Sequence, residues 1–281
     1  MRASAFCPGH VTCIFQPRRH DDPLRSGSRG AGLCLDRGAL ARVEESSALS
    51  VTIDGAACEA PVTREALGLL GETGLSVEIE LQLPVAQGFA MSAAGTVAAC
   101  LAACELRGRP AEEAFRAAHM AELARGGGMG DVAGIMAGGA SLRSREGLPP
   151  FGETRRLDLD GELLLVVLGP PRSTADLLSS GGEELIELHG GRGLEGFIAE
   201  PGWDSLFRRS LAFASGSGLM TEAAADAIAR LSPHGQAAMC MLGDSVFFRG
   251  DIAAAMDAVA GEFFLCSIDH DGPRSWRGRR T

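Results

Sequence analysis

Two carboxylates, Glu122 and Asp131, stand nine positions apart in "AELARGGGMGDVAG", with a glycine run between them. Glu122 falls on an expected helix and Asp131 just past the glycines, so the bend can aim both side chains at one cavity. Two such acids can divide the work of phosphoryl transfer, one holding a hard cation through oxygen and the other serving an alcohol acceptor as base. Read singly, either residue is more often a solvated helix carboxylate or a helix cap. Upstream, "PVAQGFAMSAAG" sets small residues where a loop opens into a helix. Glycine and alanine there let a ligand reach the main chain, and the first-turn N–H groups favour negative charge. Ser92 adds a hydroxyl able to meet a phosphate oxygen or Mg²⁺. A tight helix start packed on a strand is the competing reading. His119 and Glu122, at i and i+3, form part of a transition-metal set but lack a third ligand. Arg29 in "GSRGAG" and Arg143 in "GGASLR" can fork onto a carboxylate or phosphate, although a lone arginine is ordinarily a surface charge.

These residues need strands and helices to bring them together. "AFC" and "HVTCIF" flank Pro8-Gly9, "LSVTID" ends at Asp54-Gly55, and "LSVEIELQLP" alternates with period two, which predicts strands. Helical patterns follow at about 92–107, 110–125 and 130–137, the second opening on Pro110 with Glu112 and Glu113 behind it. "REGLPPFGE" (145–153) reads as a linker, dividing the chain into domains 1–150 and 151–281. Beyond it, a strand at "ELLLVVLGPP" precedes helices near 173–189, 203–214 and 221–232. Strands at "QAAMCML", "SVFFR" and "EFFLCSI" come after them, with a helix at 251–260. This order predicts an α+β architecture in two lobes.

Composition narrows the chemistry. All 26 basic side chains are arginine, and neither lysine, tyrosine nor asparagine occurs, which excludes a Schiff-base lysine, a Walker-loop lysine and a tyrosine acid. A net charge of -10 argues against nucleic acid and anionic membranes as partners, so an anionic ligand must be met by local groups. The eight cysteines form no CxxC pair and read as small buried hydrophobes in a reducing cytoplasm. Cys100 and Cys104 share a helix face, which leaves a minor redox reading open. The longest apolar run, "VAACLAAC", is too short to span a bilayer. The basic tail "GPRSWRGRRT" is expected to fray.

Three segments, in order, resemble the motifs of the GHMP kinase superfamily: "CPGHVTCIF", "PVAQGFAMSAAG" and "AAMCMLGDSVFF". The resemblance covers most of the chain and is most specific in the middle motif. It implies a two-lobed GHMP kinase fold, with an N-terminal lobe like the second domain of ribosomal protein S5 and a ferredoxin-like C-terminal lobe. Within the superfamily, "PGHVT", "GSRGAG", "FAMSAAG", "AHMAE", "GMGDV" and "GGASLR" look most like the archaeal pantoate kinases. That implies ATP and Mg²⁺ as cofactors and pantoate as the small-molecule substrate, on the route to coenzyme A. ATP phosphates are then expected on Pro84, Ala86, Gln87, Gly88, Phe89, Ala90, Met91, Ser92, Ala93 and Ala94. Mg²⁺ is expected on Ser92 and Glu122, and Asp131 at the acceptor hydroxyl. Arg143, Arg29 and His10 are expected at the substrate. His10 occupies the position where mevalonate kinases carry lysine, so either a partly charged ring or a structural hydrogen bond suits it. Asp244 sets a negative charge beside the third motif. A mevalonate- or homoserine-type kinase and a catalytically silent sensor of the same fold are the alternatives, and a homodimer is an expectation from the relatives alone.

Overall fold

The computed structural model describes residues 1–171 and 182–278. The first two strands are long: β1 (Arg2–Arg18) and β2 (Gly27–Glu45) run antiparallel along almost their whole length. Pro8-Gly9, expected to separate two strands, instead lies within β1 at a shift of register. A bulge tolerates a proline that an unbroken ladder would not.

The larger sheet continues through β5 (Leu75–Leu81), β3 (Ser50–Ile53) and β4 (Ala56–Ala57). β6 (Ala140–Arg145) pairs with the Gly30–Leu33 stretch of β2, and β7 (Glu153–Leu157) pairs with β6. The segment 145–153, expected as a linker, thus joins two paired strands of one sheet. The tail, expected to fray, supplies β12 (Arg274–Arg277), which pairs with β1. Arg274 is held there by Asp269 at 3.0 Å and by the face of Phe6.

Of the four helices of this lobe, α2 (Met91–Arg107) and α4 (Asp131–Ala137) pack on the sheet, and α1 (Pro61–Leu69) and α3 (Ala111–Ala124) pack on α2. α2 is buried nearly all round and packs on β1 and β2, which explains its alanine, glycine and cysteine content. Larger side chains would hold it off the sheet.

The smaller sheet is antiparallel, in the order β11-β8-β10-β9, from β8 (Glu162–Val167), β9 (Gly235–Met239), β10 (Ser245–Gly250) and β11 (Glu262–Ser267). In chain order that is 4-1-3-2, the ferredoxin-like arrangement. Its helices are α5 (Glu183–Ala199), α6 (Trp203–Gly216), α7 (Glu222–Leu231) and α8 (Ile252–Ala258). Of the helix expected near 173–189, positions 173–181 lie outside the described residues. α5 then runs ten residues past the expected end, straight through Gly190, Gly191, Gly193 and Gly196. These glycines are required by proximity: a Cβ on Gly191 would lie 2.8 Å from Gln16 Nε2, and one on Gly190 would overlap the Phe15 carbonyl. Arg18 pairs with Glu187 across the same contact.

All eight cysteines are free, and every one but Cys58 is buried. Burial pushes the Cys34, Cys240 and Cys266 thiols up to about 12, which leaves them unreactive. Among the described residues, no helix is long and apolar enough to cross a membrane.

Candidate active site

The loop before α2 is shaped by left-handed backbone at Ala86 (φ 57°), Gly88 (φ 79°) and Ala90 (φ 52°). Such conformations are costly for alanine and persist only when the surroundings fix them. Here the ends of β8 and β10 do so. Ser245 Oγ donates to the Gln87 carbonyl at 2.6 Å, and Gln87 Nε2 donates to the Gly169 carbonyl at 2.8 Å. Ala90 carries no capping side chain, so α2 begins with N–H groups that no side chain satisfies. Asp244 is not among the residues lining the cavity at this loop. Its Oδ1 accepts from Thr221 Oγ1 at 2.7 Å.

A cavity of about 480 Å³ opens on that helix start. Ala86, Gly88, Ala90, Met91, Ser92 and Ala93 line it, with Met241 and Leu242 from the β9–β10 turn. Of the ten loop residues expected at the cofactor, Pro84, Gln87, Phe89 and Ala94 do not line it. Phe89 and Ala94 belong to the core, and Gln87 is the buried clamp already described. A loop of turns leading into a helix sends its side chains in several directions, so a contiguous motif overstates the number available to a ligand.

Both carboxylates line the same cavity. Glu122, at the end of α3, is 3% exposed. Its Oε1 accepts from Ser92 Oγ at 3.4 Å and its Oε2 from the Gly128 N–H at 3.1 Å. Burial, aided by the negative charge of Asp131, raises its carboxyl to about 7 against those two hydrogen bonds. Asp131 opens α4. Its Oδ1 accepts from Thr12 Oγ1 at 3.1 Å and lies 3.3 Å from His10 Nδ1. Burial pushes this carboxyl up too, but His10, Arg143 and Thr12 together outweigh it and hold Asp131 below its ordinary value. The neighbouring acids therefore differ in proton affinity, which suits them to different tasks.

The glycines between them leave room for both carboxylates where they stand. A Cβ on Gly127 would overlap Glu122 Oε2, and one on Gly128 would overlap Asp131 Oδ2. His119 points elsewhere: its Nε2 donates to the carbonyls of Pro23 and Ser26 at 3.1 and 3.0 Å, so it is no partner of Glu122 for a metal. Among the described residues no three His, Cys, Asp or Glu side chains converge as a metal cage. Mg²⁺ requires no such cage, since one or two protein oxygens with substrate phosphates suffice. Ser92 and Glu122 fit that need.

Of the three residues expected at the substrate, none lines the cavity. Arg29 follows Ser28 on β2, and strand alternation gives Ser28 the cavity and turns Arg29 from it. Arg143 is 1% exposed beneath Gly130, its Nε donating to the Ser28 carbonyl at 3.3 Å. His10 is fully buried behind Asp131. Arg19 was not singled out from sequence, yet it is the one cationic side chain lining the cavity among the described residues. Thr12 was also passed over, although its place two residues after His10 on a strand gave it the same face. Its carbonyl accepts from the Met241 N–H at 3.3 Å, joining β1 to the turn between β9 and β10.

Comparison with known proteins bears on this geometry. The family model for the GHMP kinases N terminal domain matches residues 52–139, which include the loop, α2, Glu122 and Asp131. The pantoate kinase of Methanospirillum hungatei is 30% identical over 100% of this chain and 98% of its own. That of Thermococcus kodakarensis is 31% identical over 88% of this chain and 87% of its own. The chain belongs to the pantoate kinase family of GHMP kinases. A solved structure described as a phosphotransferase related to the coenzyme A biosynthesis pathway superposes with a TM-score of 0.89, at 28% identity and with 100% of both chains covered. The two-lobed α+β architecture is thus that of the GHMP kinases, and the family's central motif is the loop and helix start that open on the cavity.

Proposed function

We infer that this chain is an ATP-dependent kinase that transfers the γ-phosphoryl group to the hydroxyl of pantoate. The observation that carries the reading is the meeting of Ser92, Glu122 and Asp131 at one cavity on the α2 start, in a chain matched end to end by a pantoate kinase. The α2 N–H groups and the small residues 86–93 receive the phosphates of ATP. Ser92 and Glu122 hold Mg²⁺, which when bound neutralises charge on the phosphoryl oxygens. Asp131 accepts or orients the hydroxyl proton. Because the transition state of phosphoryl transfer is loose, alignment of the acceptor matters more than base strength. A carboxylate held below its ordinary value suits that work. Arg19 meets the carboxylate of pantoate at the wall, while Arg143 lends positive potential from beneath Gly130. In this reading the first lobe runs through β7 and the second begins with β8, a division supported by the sheet pairing.

The test is ADP release from ATP and Mg²⁺ in the presence of pantoate, mevalonate or homoserine. Turnover with pantoate at least tenfold above the others is expected. Equal background with all three would defeat the assignment.

A further inference from the structure

His10 is fully buried on β1, in a slot formed by two glycines. A Cβ on Gly134 would lie 2.5 Å from His10 Nε2 and 2.9 Å from Arg143 Nη1, and one on Gly32 would overlap the ring. No side chain other than hydrogen fits either wall, so the imidazole is fixed in place.

The hydrogen-bond geometry also fixes its proton. Nδ1 lies 3.3 Å from Asp131 Oδ1 and 3.4 Å from Thr12 Oγ1. The carboxylate can only accept, and Thr12 has already given its hydrogen to the same Oδ1. Nδ1 must therefore carry the hydrogen. Nε2 and Arg143 Nη1 both lie beside Gly134, and both are buried without a hydrogen-bond partner among the described residues. A second proton on Nε2 would be buried without an acceptor and close to the guanidinium charge, so the bare nitrogen is favoured. Burial and Arg143 lower the basicity of the ring in agreement, against the opposing pull of Asp131.

We propose that His10 is a positioning residue: a neutral imidazole whose Nδ1–H, with the Thr12 hydroxyl, pins Asp131 Oδ1 and leaves Oδ2 directed at the acceptor. Both bonds fall on Oδ1, and Oδ2 is the oxygen beside Gly128 on the cavity wall. His10 itself does not reach the cavity and touches no substrate. This inference rests on the reading of Asp131 as the group that meets the acceptor hydroxyl.

The test compares His10→Asn, whose amide nitrogen stands near Nδ1, with His10→Gln, whose amide nitrogen stands near Nε2, and Asp131→Asn as reference. His10→Asn is expected to keep kcat within about tenfold of the parent, and His10→Gln to lose about 100-fold in kcat with both KM values within threefold. Turnover of His10→Gln equal to the parent's, while Asp131→Asn is inactive, overturns the role of His10 alone. Full turnover in Asp131→Asn overturns the reading beneath it. Because substitution in so tight a slot can unfold the chain, the unmodified enzyme gives a second readout. Nitrogen NMR of ¹⁵N-histidine-labelled protein at pH 7 is expected to show a histidine with Nδ1 protonated and Nε2 bare, inert to added pantoate. An Nε2–H tautomer or an imidazolium at His10 overturns the proposal.

Discussion

At the level of single residues, the two acids differ in what surrounds them, and that difference is measurable. Glu122 is held near 7 in the fold and relaxes to an ordinary value near 4.5 on unfolding. The folded chain therefore binds more protons in that window, so this contribution to stability is complete below about 4.5 and is lost as the pH climbs through about 7. The full loss is roughly 3 kcal/mol, and Glu122→Gln, which cannot ionise, should remove it. Urea melts of the ligand-free protein at pH 5 and pH 8 should show the parent weakening with pH and the variant unchanged. Asp131 is set for the opposite condition, ionised throughout this range. Asp131→Asn should lower kcat by about 10²- to 10⁴-fold. Its thermal shift with ATP should match the parent's, and loss of that shift would move Asp131 from the acceptor to the nucleotide. Both acids were legible in the sequence because a glycine run between carboxylates is an uncommon pattern. The distinction between Arg19, Arg29 and Arg143 was not. Which face of a strand an arginine takes depends on register with a distant neighbour, and no local spacing encodes it.

At the level of elements, the start of α2 was legible and its support was not. Small residues before a helix announce close backbone approach, but the clamp comes from Ser245 and the Cys240–Leu242 turn, more than 140 positions away. Gly88→Ala tests that clamp. The new Cβ would stand 2.8 Å from the Cys240 carbonyl and 2.9 Å from that of Met241, on a backbone with φ 79°. A loss of about 1–3 kcal/mol in stability and a rise in the KM for ATP are expected, with the KM for pantoate less affected. Steady-state kinetics with each substrate varied in turn distinguish the two effects. The same reasoning explains α5. Glycine is a poor helix former, so "LHGGRGLEG" reads as a helix end, yet contact with β1 favours these residues over any with a side chain. Local propensity yielded there to tertiary packing.

At the level of the whole molecule, the order of strands and helices carried the two-lobed architecture, while the return of β12 to the first sheet was hidden in a short basic segment. A ligand that binds only the assembled cavity should stabilise the entire fold. With ATP and Mg²⁺ at about 100 times Kd, mass action adds about 2.7 kcal/mol, which corresponds to a rise in Tm of roughly 5–10 °C for a chain of this size. A calorimetric scan that stays flat up to millimolar ATP would contradict nucleotide binding. The hydrogen bond from Met241 N–H to the Thr12 carbonyl gives this global response a direction. The residue whose hydroxyl steadies the acid is also the one bonded by the turn of the opposite lobe, so Thr12 is anchored from both sides. A disturbance of the Met241 turn is therefore expected to be felt at Asp131, through Thr12, as well as at the start of α2.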